Sequence, residues 1–199
     1  MGVKLVSSGG GSVEINPPAT ASSFVATMPA GTGNVVVNGV NGALVSGTAV
    51  ASTSGTSIDF TGIPSWVKRI TVMFNGVSLS GTSSILIQLG DSGGFETTGY
   101  ISTSQTVSDA PQVTALNSTA GFAIRVGSAT ATPSGAIIIS KLSGNEYVSG
   151  GVFVRDDANT LLVHSAGKKT LSDTLDRVRI TTVNGTDTFD AGSINIMYE

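Results

Sequence analysis

The stretch from Val178 to Glu199, VRITTVNGTDTFDAGSINIMYE, constrains this chain most, because its apolar residues recur with a period of two. Val178, Ile180 and Thr182 alternate with Arg179, Thr181 and Val183. That is the pattern of a strand with one buried face. Asn184-Gly185 then predicts a tight I′ turn, whose two central residues both take positive φ. A return segment runs through Phe189 and breaks at Gly192. Ile194, Ile196 and Tyr198 alternate with Ser193, Asn195 and Met197 in a closing strand. The reading is a β-hairpin whose last strand is built into a sheet, with no catalytic set among its residues.

The same logic extends upstream. Ile70, Val72 and Phe74 share one face of a strand over Arg69 to Phe74, and Val77 and Leu79 follow Asn75-Gly76. That Asn-Gly pair reads either as a hairpin turn or as a bulge inside one long strand. Ile85 to Leu89, closed by Gly90, is a further strand. Gly99 to Thr103, Gly121 to Val126, Ala136 to Leu142, Tyr147 to Val154 and Leu161 to His164 complete the set. Short strands at near-regular spacing predict an all-β fold, a β-sandwich or jelly roll, for residues 48–199. Leu171 to Arg177 is the best helical candidate, and it reads as a turn or short edge piece.

Residues 1–47 differ. Short apolar bursts (Val3 to Val6, Val13 to Ile15, Val35 to Val37) are separated by Gly9-Gly10-Gly11, Asn16-Pro17-Pro18 and Pro29-Ala30-Gly31. Strands this short bury no face of their own. The expectation is an extended N-terminal β arm whose order comes from neighbouring chains, or a flexible arm with strand character.

Composition narrows the function. Only 12% of the 199 residues are charged, the net charge is −3, and no basic block is present, so the electrostatic footprint of a nucleic-acid binder is missing. There are no cysteines, which excludes disulfides, thiol catalysis and Cys-based metal sites. No ordinary signal peptide opens the sequence, and no run approaches the ~18 apolar residues of a membrane span. No membrane partner is expected.

Each candidate for chemistry meets a plainer reading. His164 is the single histidine, with no Cys and no second His for a zinc set, and no Gly-x-Ser-x-Gly elbow is present. It reads as a partly exposed imidazole at a strand end. Asp156, Asp157, Asp173, Asp176, Asp187 and Asp190 gather late in the chain. Paired carboxylates about 5–9 Å apart suit glycoside hydrolysis, and calcium favours such oxygens. However, no Asp-x-Asp-x-Asp-Gly loop occurs, and Asp also favours turns. No catalytic residue, metal site or cofactor is expected. Trp66, beside Lys68 and Arg69, reads as a sugar-stacking platform or as an anchor in the core or between subunits. The anchor is the commoner role for a lone Trp. Trp66, Lys68 and Arg69 are therefore the candidate ligand or interface residues.

The ending DRVRITTVNGTDTFDAGSINIMYE resembles the C-termini of many virion proteins of tailed bacteriophages and prophages, among them tail-fibre tips and small capsid- or tail-surface proteins. Residues 57–90, SIDFTGIPSWVKRITVMFNGVSLSGTSSILIQLG, with Ser92-Gly93-Gly94 and Thr98-Gly99-Tyr100, carry a second matching stretch. The run VEINPPATASSFVATMPAGTGNVVV is similar to the thin intertwined segments of trimeric phage fibres. The resemblance implies a homotrimeric, non-enzymatic virion surface protein assembled in the host bacterial cytoplasm. Its partners would be the major capsid protein, as for a decoration or cement protein. Alternatively it would be a short tail fibre or fibre tip, joined to tail proteins and binding a host glycan.

Overall fold

Residues 3–6, 8–10, 12–15, 44–107, 114–157 and 160–199 are described in the computed structural model. The chain divides into two compact units, Met1–Val35 and Val36–Glu199. In the first, β1 (Val3–Val6) and β2 (Ser12–Ile15) form an antiparallel hairpin with Val3 opposite Ile15. Two of the three bursts predicted in the arm are thus strands. Val35 to Val37, the remainder of residues 16–43 and any trimeric winding of that run lie outside the described residues.

The second unit is all-β, with no helix among the described residues, and it forms two antiparallel sheets consistent with a β-sandwich. In chain order its strands are β3 (Val45–Ser46), β4 (Val50–Ala51), β5 (Ser57–Thr61), β6 (Arg69–Leu79), β7 (Ile85–Asp91), β8 (Gly94–Phe95) and β9 (Ile101–Val107). These are followed by β10 (Thr114–Ser118), β11 (Phe122–Ile124), β12 (Thr132–Ser143), β13 (Glu146–Asp156), β14 (Leu161–Thr170), β15 (Arg177–Thr182) and β16 (Phe189–Tyr198). One sheet has nine strands in the order β10-β9-β14-β13-β12-β6-β16-β3, with β4 also on β16. The other has five, β11-β7-β15-β5, with β8 on β7. Val45 and Ser46, within the predicted arm, pair with Tyr198 and Met197 of this unit.

Alternation decides which side chains enter the space between the sheets. Ile70, Val72 and Phe74 of β6, Ile137 and Ile139 of β12, and Ile194 and Ile196 of β16 point inward from the larger sheet and are buried. Ile85, Ile87 and Leu89 of β7, with Val178 and Ile180 of β15, are buried from the smaller one. All belong to one core cluster, and Phe74 meets Phe153 edge-on at 5.6 Å between ring centroids. Burying each such side chain stabilises the fold by about 1.5–3 kcal/mol before chain entropy is charged against it.

Two expectations are corrected. The stretch from Val178 to Tyr198 is not a hairpin. β15 pairs with β5 and β7 in the smaller sheet, whereas β16 pairs with β6 in the larger, so Asn184-Gly185 lies on a crossing between sheets. Nor is the turn type I′: Gly185 has φ +68°, but no described non-glycine residue has a positive φ. Instead the Asn184 side-chain oxygen accepts from the N–H groups of Thr186 and Asp187, both at 3.1 Å, and these bonds close the turn.

The ambiguity at Asn75-Gly76 resolves as a bulge. β6 runs unbroken through it, and the register with β16 shifts between Ala191 and Ser193. Gly192 (φ +92°) lies against Gly76 there, and a Cβ on Gly192 would fall 2.4 Å from the Gly76 carbonyl oxygen. Gly192 therefore bends β16 rather than ending it. Leu171 to Asp176 contains no helix and leads directly into β15.

Candidate functional site: two unlike sheet faces

Trp66, Lys68 and Arg69 lie where the chain enters β6, next to the end of β16. The half-buried Trp66 ring packs against Tyr198 at 6.0 Å, tilted by 55°. The backbone N–H groups of Lys68 and Arg69 donate to the Glu199 carbonyl at 2.7 and 2.9 Å, and the Arg69 guanidinium pairs with the Glu199 carboxylate. The structure brings the three together, with Trp66 packed on the core and Lys68 exposed.

The late aspartates do not assemble. Asp176 is held by the Arg177 guanidinium at 2.6 and 3.0 Å, which keeps its carboxyl below the usual range. Asp187 accepts from the Asn184 amide at 2.7 Å and the Ser83 N–H at 2.9 Å, which lower it likewise. Asp157 bonds Arg155, and Asp173 accepts from the Thr174 N–H. No group of three His, Cys, Asp or Glu suited to a metal ion occurs among the described residues. His164 is not at a strand end, because β14 continues to Thr170. It is exposed in mid-sheet between Val152 of β13 and Gln105 of β9.

The charged cluster that does form escaped the sequence reading. Lys169 is 5% exposed, and its ammonium sits 2.5 Å from Glu96 Oε2 and 2.8 Å from the Thr98 carbonyl. It also lies 5.0 Å from the centre of the Tyr100 ring. Ser172 Oγ is 2.8 Å from both Glu96 Oε1 and Asp91 Oδ2, so the two carboxylates are neighbours bridged by one hydroxyl, and paired carboxylates are what glycoside hydrolysis would use. That chemistry requires one carboxyl raised to act as an acid. Here both are lowered. The Ser172 hydroxyl and the Gly93 N–H hold Asp91 down. Burial pushes Glu96 up, but Lys169 and the Ser172 N–H and hydroxyl outweigh it. The cluster is a lock between the β7–β8 turn and β14. Its signal in the sequence is Lys169 itself, which shares the inward parity of Val163 and Ser165 and so needs a buried carboxylate.

The outer faces of the two sheets differ sharply in charge. On the smaller sheet, Arg179 forks onto Asp59 at 2.8 and 2.7 Å, and Arg177 and Arg179 lie over the Phe95 ring. On the larger sheet, four registered rows cross β12, β13, β14 and β9. They read Ser134-Val154-Leu162-Val107, Ala136-Val152-His164-Gln105, Ile138-Gly150-Ala166-Thr103 and Ser140-Val148-Lys168-Ile101. Lys168 is the one lysine, arginine or acidic residue in these rows. Val152 is 50% exposed and Ile101 65%, and Ile138, Val148, Val154 and Leu162 are exposed as well. At the β14–β9–β10 margin lies a groove of about 620 Å³ whose lining includes Ile101, Ala166, Thr103, Asn117, Thr119 and Lys168.

No helix among the described residues is long and apolar enough to cross a membrane. The chain matches no protein-family model, no curated protein and no solved structure.

Proposed function

We propose that the chain is a non-enzymatic structural protein of a tailed-phage virion, a homotrimeric capsid decoration or cement protein whose arm contacts other virion proteins. The observation that carries this reading is how the two stretches resembling phage virion proteins relate in space. Residues 57–100 supply β5, β6, β7 and β8, and residues 176–199 supply β15 and β16. β15 pairs with β5 and β7, and β16 pairs with β6. Two stretches distant in sequence are thus one folding unit, as expected of a domain type. The commitment of Asp59, Asp157, Asp176 and Asp187 to ion pairs and turns, and a sheet face nearly free of charge, support a role in contact rather than in chemistry.

Imaging of labelled protein on purified particles tests the proposal. Many copies over the head are expected, and absence from particles refutes it. The groove beside Ile101 favours a second reading, a short tail fibre or fibre tip holding a host glycan among Thr103, Asn117, Thr119 and Lys168. Label confined to the tail selects that reading.

A further inference from the structure

Gly150 sits in the middle of β13, near the centre of the outer face of the larger sheet, in a row without charge. The other described glycines of the second unit have a visible reason to lack a side chain. They have a positive φ, or a Cβ would strike a neighbour or press tightly on one, as at Gly151, where it would fall 2.8 Å from the Ala136 carbonyl oxygen, and at Gly93, where it would fall 3.1 Å from Asp91 Oδ1. Gly150 has neither: its φ is not positive, and nothing lies within 4 Å of where its Cβ would stand. Glycine inside a strand weakens it and marks a place where another backbone comes close. Among the described residues of this chain nothing comes close.

We propose that another copy of this chain does: β13 is the self-association strand, with Gly150 admitting the neighbouring backbone between the exposed Val148 and Val152. This rests on the homotrimer reading above and names its contact. Three features select a second copy as the occupant. The face from β6 to β9 measures about 20 Å along the strands by about 24 Å across them. Around a threefold axis this projected area of roughly 500 Å², before side-chain corrugation is added, is shared between two neighbours, so each contact is below the roughly 800 Å² per partner of a stable pairwise interface and the closed ring of three contacts holds the assembly. The face carries charge only in its last row, at Lys168 and, on the β6 edge, at Arg69, which pairs with Glu199; over the other rows a partner needs no complementary charge and an identical surface suffices. The relief is also self-complementary, since the Val152 knob lies one row from the hollow at Gly150 and Ala166. A threefold axis along β13 would seat the β12 flank of one copy on the β14 flank of the next and close the ring.

The test is sedimentation velocity on the full chain and on Gly150→Val. The valine Cβ meets nothing within 4 Å on an exposed face and valine suits a strand, so the variant should melt at or above the wild-type temperature. Its association should weaken by about a hundredfold through overpacking at the contact. Val152→Lys should also dissociate the protein, whereas Val183→Lys, exposed but off this face, should not. A wild-type trimer with this pattern supports the proposal. A dimer with this pattern upholds the face and overturns the threefold count. A monomeric wild type, or an assembly indifferent to both Gly150→Val and Val152→Lys, overturns the proposal. Each of these results is independent of whether particles carry the protein, so the virion reading stands or falls separately.

Discussion

Replacing Glu96 with Gln should destabilise the fold more than replacing its partner Lys169. Lys169 is almost wholly buried, whereas the Glu96 side chain retains 22% exposure. The introduced glutamine would turn an amide toward the ammonium and leave a buried charge without its counterion. Removing one partner of such a pair costs about 3 kcal/mol, the low end for buried pairs because water still reaches Glu96. In a domain of this size that lowers Tm by about 6–12 °C. Lys169→Met removes the buried charge itself and keeps an apolar chain against Tyr100. It leaves the Thr98 carbonyl and one Glu96 oxygen without a donor, a cost of about 1–2 kcal/mol. The double variant should therefore be no less stable than Glu96→Gln alone, with a coupling of about 2 kcal/mol. Urea titrations of the four proteins measure it. The pH dependence follows in sign. Glu96 is lowered in the folded state, so its contribution is present above the unfolded value of about 4.3 and is lost as pH falls through the folded one. Glu96→Gln should flatten that part of the acid limb. Additive single effects, or a Tm change under 2 °C for Glu96→Gln on the ~2–4 °C per kcal/mol scale, would refute the assignment of Lys169 as a counterion-dependent buried charge.

Three further outcomes are expected. Gly192→Ala should cost at least about 3 kcal/mol, read as a drop in urea midpoint, because its φ of +92° and the Gly76 carbonyl 2.4 Å from the new Cβ both oppose a side chain. Deleting the last seven residues removes Ile194, Ile196 and Tyr198 and bares the edge of β6; the product should be insoluble, and a soluble, cooperatively melting protein would contradict the packing. Tyr100→Phe leaves the Leu89 N–H, now 2.7 Å from the phenol oxygen, without its acceptor, at about 1–3 kcal/mol near neutral pH. Burial raises the Tyr100 phenol, so its stabilisation is complete below the unfolded value of about 10 and declines as pH rises beyond it; the Phe variant should lose that alkaline decline in melts taken between about pH 9 and 12.

Facing was legible in the sequence and partnership was not. A period of two states which residues share a side, so Ile70, Val72 and Phe74, or Val178, Ile180 and Thr182, could be assigned to the interior directly. It does not say which strand lies alongside, and β15 went not to its sequence neighbour but between β5 and β7. Asn184-Gly185 misled because Asn closes a turn through its side chain as readily as through a positive φ. β10, spelled TALNS, and the second half of β14, spelled AGKKT, carry too few apolar residues to announce strands; their neighbours in the sheet hold them. For the candidate site, Trp66, Lys68 and Arg69 were visible because they adjoin in sequence. The Asp91–Glu96–Lys169 lock joins residues more than seventy positions apart, and only the parity of Lys169 hinted at it.

The placement of β15 and β16 sets the order of events during synthesis. Strands β9, β12, β13 and β14 can form their part of the larger sheet once residues 101–170 have left the ribosome. β5 and β7 are joined in the smaller sheet only through β15, and β6 gains its second neighbour only from β16. The apolar inner faces therefore stay open until residues 177–198 emerge, and the sandwich closes in one late step dominated by long-range pairing. Nascent chains stalled before residue 177 should be held by chaperones or aggregate, whereas chains stalled beyond 199 with a spacer should be protease-resistant on the ribosome.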